Sequence, residues 1–141
     1  MPFFEPGNFA AGTLLGIVLG AYLNHSLANR RSDRESIRSG YNQAAKNFRD
    51  SFTCVYQAFP YGRERVEHIV INNIKTQETA MIEFKRHITD NIRADFEETW
   101  QEYEECSDDF YRGYDLKCTE PEFLAEFAKF ITKLTDFAKH K

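Results

Sequence analysis

The sequence predicts an all-α protein, in which a single N-terminal transmembrane helix is followed by an antiparallel bundle of about three amphipathic helices. Two observations carry this prediction. Residues 6–29 contain no Lys, Arg, Asp or Glu, and two arginines follow at once. Beyond them the chain is densely charged, and its apolar residues recur at intervals of three and four, which is the period of a helix with one buried face.

The uncharged segment is long enough to cross a membrane. A transmembrane helix needs about 20 mainly apolar residues for a hydrocarbon core about 30 Å thick. We place the span at about residues 8–29, within an N-terminal anchor over residues 1–29. Its apolar side chains favour insertion by about 2–4 kcal/mol together, which is moderate because glycines and Asn24 interrupt the segment. The charge pattern therefore supports the span as much as its hydropathy does.

The charges beside the span are one-sided. No Lys or Arg precedes residue 30, and the first basic residues after the span are Arg30, Arg31, Arg34 and Arg38. Basic residues next to a span tend to stay in the cytoplasm. We therefore expect an inner-membrane type of protein, with its N-terminus outside and residues 30–141 forming a cytoplasmic domain. These juxtamembrane arginines also attract anionic lipid headgroups, by about 1 kcal/mol each near the surface.

Small residues form a ridge along the predicted span. Gly12, Gly16 and Gly20 recur every fourth residue, and Asn24 continues the row. Residues four apart share a helix face, and small residues there allow a second backbone to approach closely. The ridge predicts packing against another membrane helix, from a second copy of the chain or from a partner subunit. The alternative is that glycine is simply common in membrane helices.

Two other interpretations of the N-terminal segment remain open. A cleaved signal peptide would use the small residues Ser26 and Ala28, and the exported chain would then begin at Asn29. The head of the segment, however, lacks the positive charge of such a peptide. A helix buried in a soluble fold is the second interpretation. It is disfavoured because a domain of this size has little interior with which to surround an apolar helix.

The domain at residues 30–141 is predicted to contain three helices, at about residues 32–59, 63–104 and 119–139. The apolar stripe of the first is Ile37, Tyr41, Ala44, Phe48, Phe52, Val55 and Phe59. That of the second is Val66, Val70, Ile74, Met81, Phe84, Ile88, Ile92, Phe96, Trp100 and Tyr103, with Gln77 at its one polar place. The third carries Phe123, Phe127, Phe130, Leu134 and Phe137. Such stripes bury against one another in a bundle, and their heptad-like spacing also permits a coiled coil with another chain.

The connections between these helices follow from residues that disfavour helical geometry. Pro60 and Gly62 end the first helix. The second would be about 60 Å long at 1.5 Å per residue, so a bend near residues 89–91 is one way to shorten it. Residues 106–117 are predicted to be an irregular connection. Thr119 then caps the third helix, and Glu122 completes a capping box.

Composition excludes several broad classes of protein. The net charge of −4 argues against a general nucleic-acid binder, which would present a basic face. Cys54, Cys106 and Cys118 are widely spaced, with no CxxC motif, as expected for reduced cytoplasmic thiols. A disulfide between Cys106 and Cys118 would be expected only if the domain lay outside the membrane.

Two Glu–His pairs are the first candidates for chemistry. Glu64 and His68, and again Glu83 and His87, are four residues apart and so share a helix face. A carboxylate and an imidazole on one face can bind a metal ion. The di-iron bundle motif has a different spacing, however, and basic neighbours surround both pairs. We therefore expect solvated ion pairs at both places, with a metal site as the alternative.

An acidic run in the second predicted helix is a candidate surface for a partner. The residues that we single out are Glu97, Glu98, Trp100, Glu102 and Tyr103. Carboxylates could meet a basic partner, and aromatic residues are enriched in contact surfaces. The alternative is a solvated acidic face, with the two aromatic side chains packed in the core.

These features together predict a binding function. The sequence shows no phosphate loop, nucleophile elbow, zincin helix or dinucleotide fingerprint. We expect a membrane-anchored scaffold, accessory subunit or regulator whose partners are the lipid bilayer and another membrane helix. Neither a catalytic residue, a cofactor, a nucleic-acid partner nor a small-molecule substrate is indicated. The alternatives are an exported or soluble helical protein with a cleaved or buried N-terminal segment, and a metal-dependent helical enzyme.

Overall fold

The computed structural model describes residues 6–112 and 120–139, and their side chains over residues 17–110 and 121–139. The helices are α1 (Pro6–Asp50), α2 (Thr53–Ala58), α3 (Arg63–Lys85), α4 (Asp90–Arg112) and α5 (Glu120–Phe137). A 3₁₀ turn over Phe59–Tyr61 joins α2 to α3. No strand occurs in these two ranges, so the prediction of an all-α protein is confirmed.

The chain divides into two compact units, one ending at Ser39 and the other beginning at Gly40. The described part of the first unit is helix α1 alone, and α1 continues without a break to Asp50 in the second. The sequence predicts a boundary between residues 29 and 30. The second unit starts later because residues 30–39 are charged or polar and exposed, with Ile37 as the one apolar exception.

The second unit is a helical bundle with an aromatic core. Phe48 of α1 lies at its centre, with ring centroids 5.3 Å from Phe84, 5.5 Å from Phe96 and 6.3 Å from Trp100. Its ring is fully buried. One side chain thus contacts both α3 and α4, and aromatic pairs of this kind stabilise a core by about 0.5–1.5 kcal/mol beyond the area that they bury.

Neighbouring helices of the bundle run antiparallel. Phe96, near the start of α4, contacts Phe137 at the end of α5, at a centroid distance of 5.4 Å. Phe110, near the end of α4, contacts Phe123 at the start of α5, at 5.3 Å. The bundle therefore uses four helical segments, because the end of α1 packs with α3, α4 and α5, rather than the three that the sequence predicts.

One buried polar contact crosses this core. The Tyr103 hydroxyl donates a hydrogen bond of 2.7 Å to Gln77 Oε1, and both side chains are fully buried. Gln77 Nε2 in turn donates to the Ser51 carbonyl at 3.4 Å. Burying a polar group without a partner costs free energy. Gln77 therefore occupies the polar place in the α3 stripe as part of a network that joins the turn after α1 to α3 and α4.

The end of α5 is capped by side chains of α1. The Tyr41 hydroxyl donates to the carbonyls of Phe137 and Lys139, at 3.2 and 3.1 Å. Arg49 donates to the Ala138 carbonyl at 2.5 Å. The last carbonyls of a helix have no partner within it, and a cation beside them also favours the helix dipole. These hydrogen bonds give partners to carbonyl groups at the end of α5 that have none within the helix.

The predicted helix over residues 63–104 is two helices in the structure. The backbone N–H of His87 donates to the Phe84 carbonyl at 2.9 Å and closes α3. The Thr89 carbonyl accepts from the N–H groups of Ile92 and Arg93, both at 3.1 Å, and opens α4. The chain reverses here because the apolar stripe is then folded onto itself: Phe84 and Phe96 contact each other at 5.5 Å.

The other predicted bounds also change. The helix predicted over residues 32–59 ends at Asp50 and resumes as α2 after a turn. The irregular connection predicted over residues 106–117 is helical as far as Arg112. Ser107 is buried and donates to the Tyr103 carbonyl at 2.8 Å, so it continues the helix rather than breaking it. The Thr119 cap and the rest of that connection lie outside the described residues.

The seam of α5 is shifted by one residue from the predicted one. Its fully or nearly fully buried side chains are Phe123, Phe127, Ile131, Leu134 and Ala138. Phe130 and Phe137 are only partly buried against this core. A straight helix of 3.6 residues per turn selects Ile131 where a strict 4-3 repeat selects Phe130. The bundle itself covers this seam, and the prediction of a coiled coil with another chain is not supported.

Candidate functional site

The described N-terminal part of α1 is apolar and exposed on every side. Ile17, Val18 and Leu19 are 63%, 64% and 57% exposed. Consecutive helical residues point about 100° apart, so these three cover most of the helix circumference. Tyr22, Leu23 and Leu27 are also more than half exposed. The described side chains of this segment are therefore exposed around the helix.

In the part of the chain that the structure describes, none of the helices has a stretch of sufficient length and apolarity for a membrane span. The side chains of residues 8–16, which form the first part of the predicted span, lie outside that part.

The ridge of small residues is uncovered at Gly20, where the structure describes its surroundings. A Cβ atom built on Gly20 would have no neighbour within 4 Å. Asn24 is exposed one turn further along. Gly12 and Gly16 belong to the same uninterrupted helix, so the three glycines keep their common face. The surroundings of Gly12 and Gly16 lie outside the described side chains.

The arginines that follow the apolar segment are all exposed, and they lie on the same continuous helix. At 3.6 residues per turn, Arg30, Arg34, Arg38 and Arg31 fall within an arc of about 100°. Asp33 and Glu35 fall outside this arc. The described residues provide no carboxylate within ion-pair distance of Arg30, Arg31 or Arg34.

The acidic run of α4 separates into a surface and a core. Glu97, Glu98 and Glu102 are exposed. Two of them are paired within the bundle: Glu97 with Lys85 at 2.5 Å and Glu102 with Lys133 at 3.7 Å. Trp100 and Tyr103 are buried, so they do not belong to a partner surface. For these two aromatic residues, core packing is the interpretation that the structure shows.

Five carboxylates, one of them the paired Glu102, give α4 an acidic stripe. Its members are Asp95, Glu98, Glu102, Glu105 and Asp109, spaced by threes and fours along the helix. At 3.6 residues per turn they lie within an arc of about 80°. Nearly all are exposed, and Asp109 is half-buried. The stripe can offer negative charge to a basic surface.

The two Glu–His pairs have different surroundings. His87 Nε2 lies 3.5 Å from Glu83, whose other oxygen accepts from Arg86 at 3.0 Å. His68 contacts Asn72 rather than Glu64. Among the residues with described side chains, no three His, Cys, Asp or Glu side chains come together as metal ligands.

The structure describes two of the three thiols. Cys54 is exposed on α2, and Cys106 is half-buried on α4. Cys118 lies outside the described residues, and so does the disulfide with Cys106 that would be expected only if the domain lay outside the membrane.

A groove runs along the bundle between the end of α1 and α3. It has a volume of about 990 Å³ and is lined by both apolar and charged side chains, among them Asp50, Lys75, Ile82, Glu83 and Arg86. Charges of both signs line it, so it shows no preference for an anionic or a cationic ligand.

Gly40 has a structural role that the sequence does not reveal. A Cβ atom at this position would lie 3.2 Å from His87 Cε1. The glycine therefore lets α1 pass close to the turn between α3 and α4. A sequence pattern marks Gly40 only as a weak point in a helix, because the contact joins residues far apart in the chain.

Comparison with protein-family models, with curated proteins and with solved structures finds no match for this chain.

Proposed function

We propose that this chain is a single-pass, membrane-anchored helical protein that acts by binding, as a scaffold, accessory subunit or regulator. The N-terminal part of α1 is the anchor, its N-terminus lies outside, and the helical bundle is held at the cytoplasmic face of an inner-membrane type of bilayer. The lipid bilayer is its first partner, and a second membrane helix is the other.

The observation that carries this proposal is the exposed apolar circumference of α1. Soluble proteins rarely leave a large contiguous apolar surface in water, and such surfaces usually mark contact with a membrane or a protein. Ile17, Val18 and Leu19 expose more than half of each side chain on successive faces of one helix. A single docked protein would cover one face, whereas hydrocarbon would cover them all.

The arginines support the orientation. Arg30 and Arg31 follow the apolar segment directly, and no basic residue precedes it in the sequence. Loops and termini rich in Lys and Arg are retained on the cytoplasmic side of a membrane. The bundle, which follows these arginines, is therefore proposed to be cytoplasmic.

Fractionation of cells that express the untagged chain tests the anchor. We expect the protein in the membrane pellet, resistant to an alkaline carbonate wash and released by detergent. The double variant V18K/L19K should move to the soluble fraction, because each lysine at a helix centre opposes insertion by roughly 2.5–3.5 kcal/mol.

The matched control for this experiment is I37K. Ile37 is 71% exposed on the same helix, beyond the arginines. Since it lies outside the proposed span, a lysine there should leave the protein in the pellet. Recovery of the wild-type chain in the soluble fraction without detergent would rule the proposal out.

The glycine ridge is the proposed contact with a second membrane helix. A Gly16→Leu variant should weaken recovery of any complex in a pull-down from detergent extracts, because leucine would keep a partner backbone at a distance. Ala21→Leu is the matched control, since Ala21 lies on the opposite side of the helix. Equal recovery with both variants would remove the ridge from the contact.

A further inference from the structure

We infer that the arginine face of α1, defined as Arg30, Arg31, Arg34 and Arg38, lies against the phosphate groups of anionic membrane lipids, so that α1 leaves the bilayer tilted toward this face. This inference depends on the proposed membrane anchor. It adds a named lipid chemistry and a direction of tilt, which the anchor alone does not require.

The four arginines are concentrated on one side of the helix. All lie within an arc of about 100° at 3.6 residues per turn. The opposite side carries the small neutral residues Ser32, Ser36 and Ser39. A positive-inside signal needs only basic residues in the sequence, whatever their direction around the helix. The one-sided arrangement is therefore a separate property of this segment.

Because the arginine face is long, the tilt of α1 affects how far each arginine lies from the membrane. On a helix perpendicular to the membrane, Arg38 would stand about 12 Å further from the hydrocarbon than Arg30. The headgroup region of one leaflet is only about 5–7 Å thick. Inclination of the helix toward their side brings Arg34 and Arg38 closer to the lipid phosphates. Transmembrane helices are tilted by about 20° on average, and anchoring residues at the interface set the direction.

The charges of Arg30, Arg31 and Arg34 are available to an external anion. The described residues place no carboxylate within ion-pair distance of Arg30, Arg31 or Arg34, and all four arginines are exposed. Guanidinium groups match phosphate oxygens with two parallel hydrogen bonds. Phosphate esters in the adjoining leaflet are the nearest anions to a face that continues directly from an apolar, proposed lipid-embedded segment.

A pair of single-cysteine variants of the full chain measures which side of α1 meets the headgroups. Cysteine replaces Ile37, at the edge of the arginine face, or Ser36, on the opposite side, in a background with serine at the three native cysteines. Both native side chains are exposed and their positions differ by only about 1.5 Å along the axis. Each variant is reconstituted into vesicles of neutral phosphatidylcholine, alone or mixed with anionic phosphatidylglycerol, and labelled with an uncharged, water-soluble maleimide.

We expect the thiol at position 37 to react several-fold more slowly than the thiol at position 36 in the anionic vesicles. The two rates should be equal in neutral vesicles. They should also be equal in anionic vesicles once all four arginines are replaced by glutamine. Molar salt should reduce the difference, because the screening length falls from about 10 Å to about 3 Å.

A matched control replaces Arg65, Lys75, Arg86 and Lys129, four exposed basic residues of the bundle, by glutamine. This variant has the same net charge as the arginine-face variant and should keep the slow reaction at position 37. Loss of the difference in this control would assign it to overall charge and overturn the inference.

Equal rates at the two positions in anionic vesicles would also overturn the inference. So would equally slow reaction at position 37 in neutral vesicles, because the protection would then not depend on anionic lipid. Failure of the anchor itself is separately visible: the chain would then not float with either kind of vesicle.

Discussion

At the residue scale, the hydrogen bond between Tyr103 and Gln77 places the strictest requirement on how the helices of the bundle pack. Both side chains are fully buried and satisfy each other across α3 and α4. Burial raises the pKa of the Tyr103 phenol, and its hydrogen bonds oppose this only in part. The pair fixes the register of two helices, because a shift of either one would leave a polar group unpaired in an aromatic core.

Tyr103→Phe is expected to destabilise the protein by about 1–3 kcal/mol, because Gln77 Oε1 would remain buried without its donor. Urea denaturation followed by circular dichroism measures this change. The double variant Q77M/Y103F removes both polar partners and should recover much of the loss. If the double variant is less stable than Tyr103→Phe alone, the contact is not the source of the effect.

The raised pKa of Tyr103 also predicts a pH dependence. An unfolded tyrosine ionises near pH 10, whereas the folded protein holds the phenol protonated to higher pH. The stabilisation by this group is thus complete below about pH 10 and is lost as the pH rises above it. The stability difference between the wild type and Tyr103→Phe should be constant at neutral pH and should shrink above pH 10. A difference that grows above pH 10 would contradict this assignment.

Gly40 and His87 form a second testable contact. Gly40→Ala adds helix propensity worth about 1 kcal/mol, but its Cβ would lie 3.2 Å from His87 Cε1. We expect Gly40→Ala alone to change stability little, and to stabilise by about 1 kcal/mol in a His87→Ala background. The free energies of unfolding of the four proteins in this cycle measure the coupling. Equal effects of Gly40→Ala in both backgrounds would mean that the two residues do not interact.

At the element scale, the helical period predicts most of the core but not the helix ends. Val66, Val70, Phe84, Phe96 and Tyr103 are buried as their spacing predicts. The sequence predicts only a bend where the chain reverses between α3 and α4. The reversal depends on the contact between Phe84 and Phe96, which no local pattern reveals. Ile37 fits the α1 stripe but is 71% exposed, and the buried part of the stripe begins at Tyr41.

The extension of α4 through Ser107 shows the same limit. Serine and aspartate in sequence indicate a helix end, because their side chains compete for backbone groups. In the fold, Ser107 is buried and bonds back to Tyr103, while Phe110 packs on Phe123 and Phe127. Tertiary packing therefore decides the outcome, and no local pattern contains that information.

The bundle should depend strongly on Phe48, which joins α1 to the rest of the core. Phe48→Ala is expected to cost about 3–5 kcal/mol, because it leaves a cavity beside the rings of α3 and α4. That is a large part of the 5–15 kcal/mol that stabilises a typical domain. Ile82→Ala is the control, since Ile82 is 47% exposed and should cost far less. Thermal denaturation compares the two, and similar melting temperatures would argue against a packed contact between α1 and the bundle.

At the scale of the whole molecule, the sequence predicts which segments belong to the candidate site. It does not predict which of their residues are buried or ion-paired. The exposed apolar segment and the arginines are visible in the sequence because both are local in the chain. The assignment of Trp100 and Tyr103 could not be decided from spacing alone, since a core seam and an aromatic contact surface share the same period. Their burial, and the ion pairs of Glu97 and Glu102, appear only once α3 and α5 are in place.

The proposed orientation predicts how Cys54 reacts in cells. This thiol is free and exposed on α2. If the bundle is cytoplasmic, a membrane-impermeant maleimide should label it only after the membrane is permeabilised. Gel-shift labelling of intact and permeabilised spheroplasts measures this, in a variant with serine at the other two cysteines. Labelling in intact spheroplasts would reverse the orientation.

The most direct test of the account is cysteine accessibility around α1 in native membranes. Single cysteines at Ile17, Val18 and Leu19 sample successive faces, and Ser36→Cys, on the side of α1 opposite the arginine face, is the exposed reference on the same helix. All four native side chains are exposed in the structure, so protection can come only from what surrounds the chain. Embedding in lipid predicts slow labelling at all three positions, relative to position 36, by a water-soluble maleimide. Labelling at all three positions as fast as at position 36 would show that water surrounds this segment, and would contradict the membrane anchor.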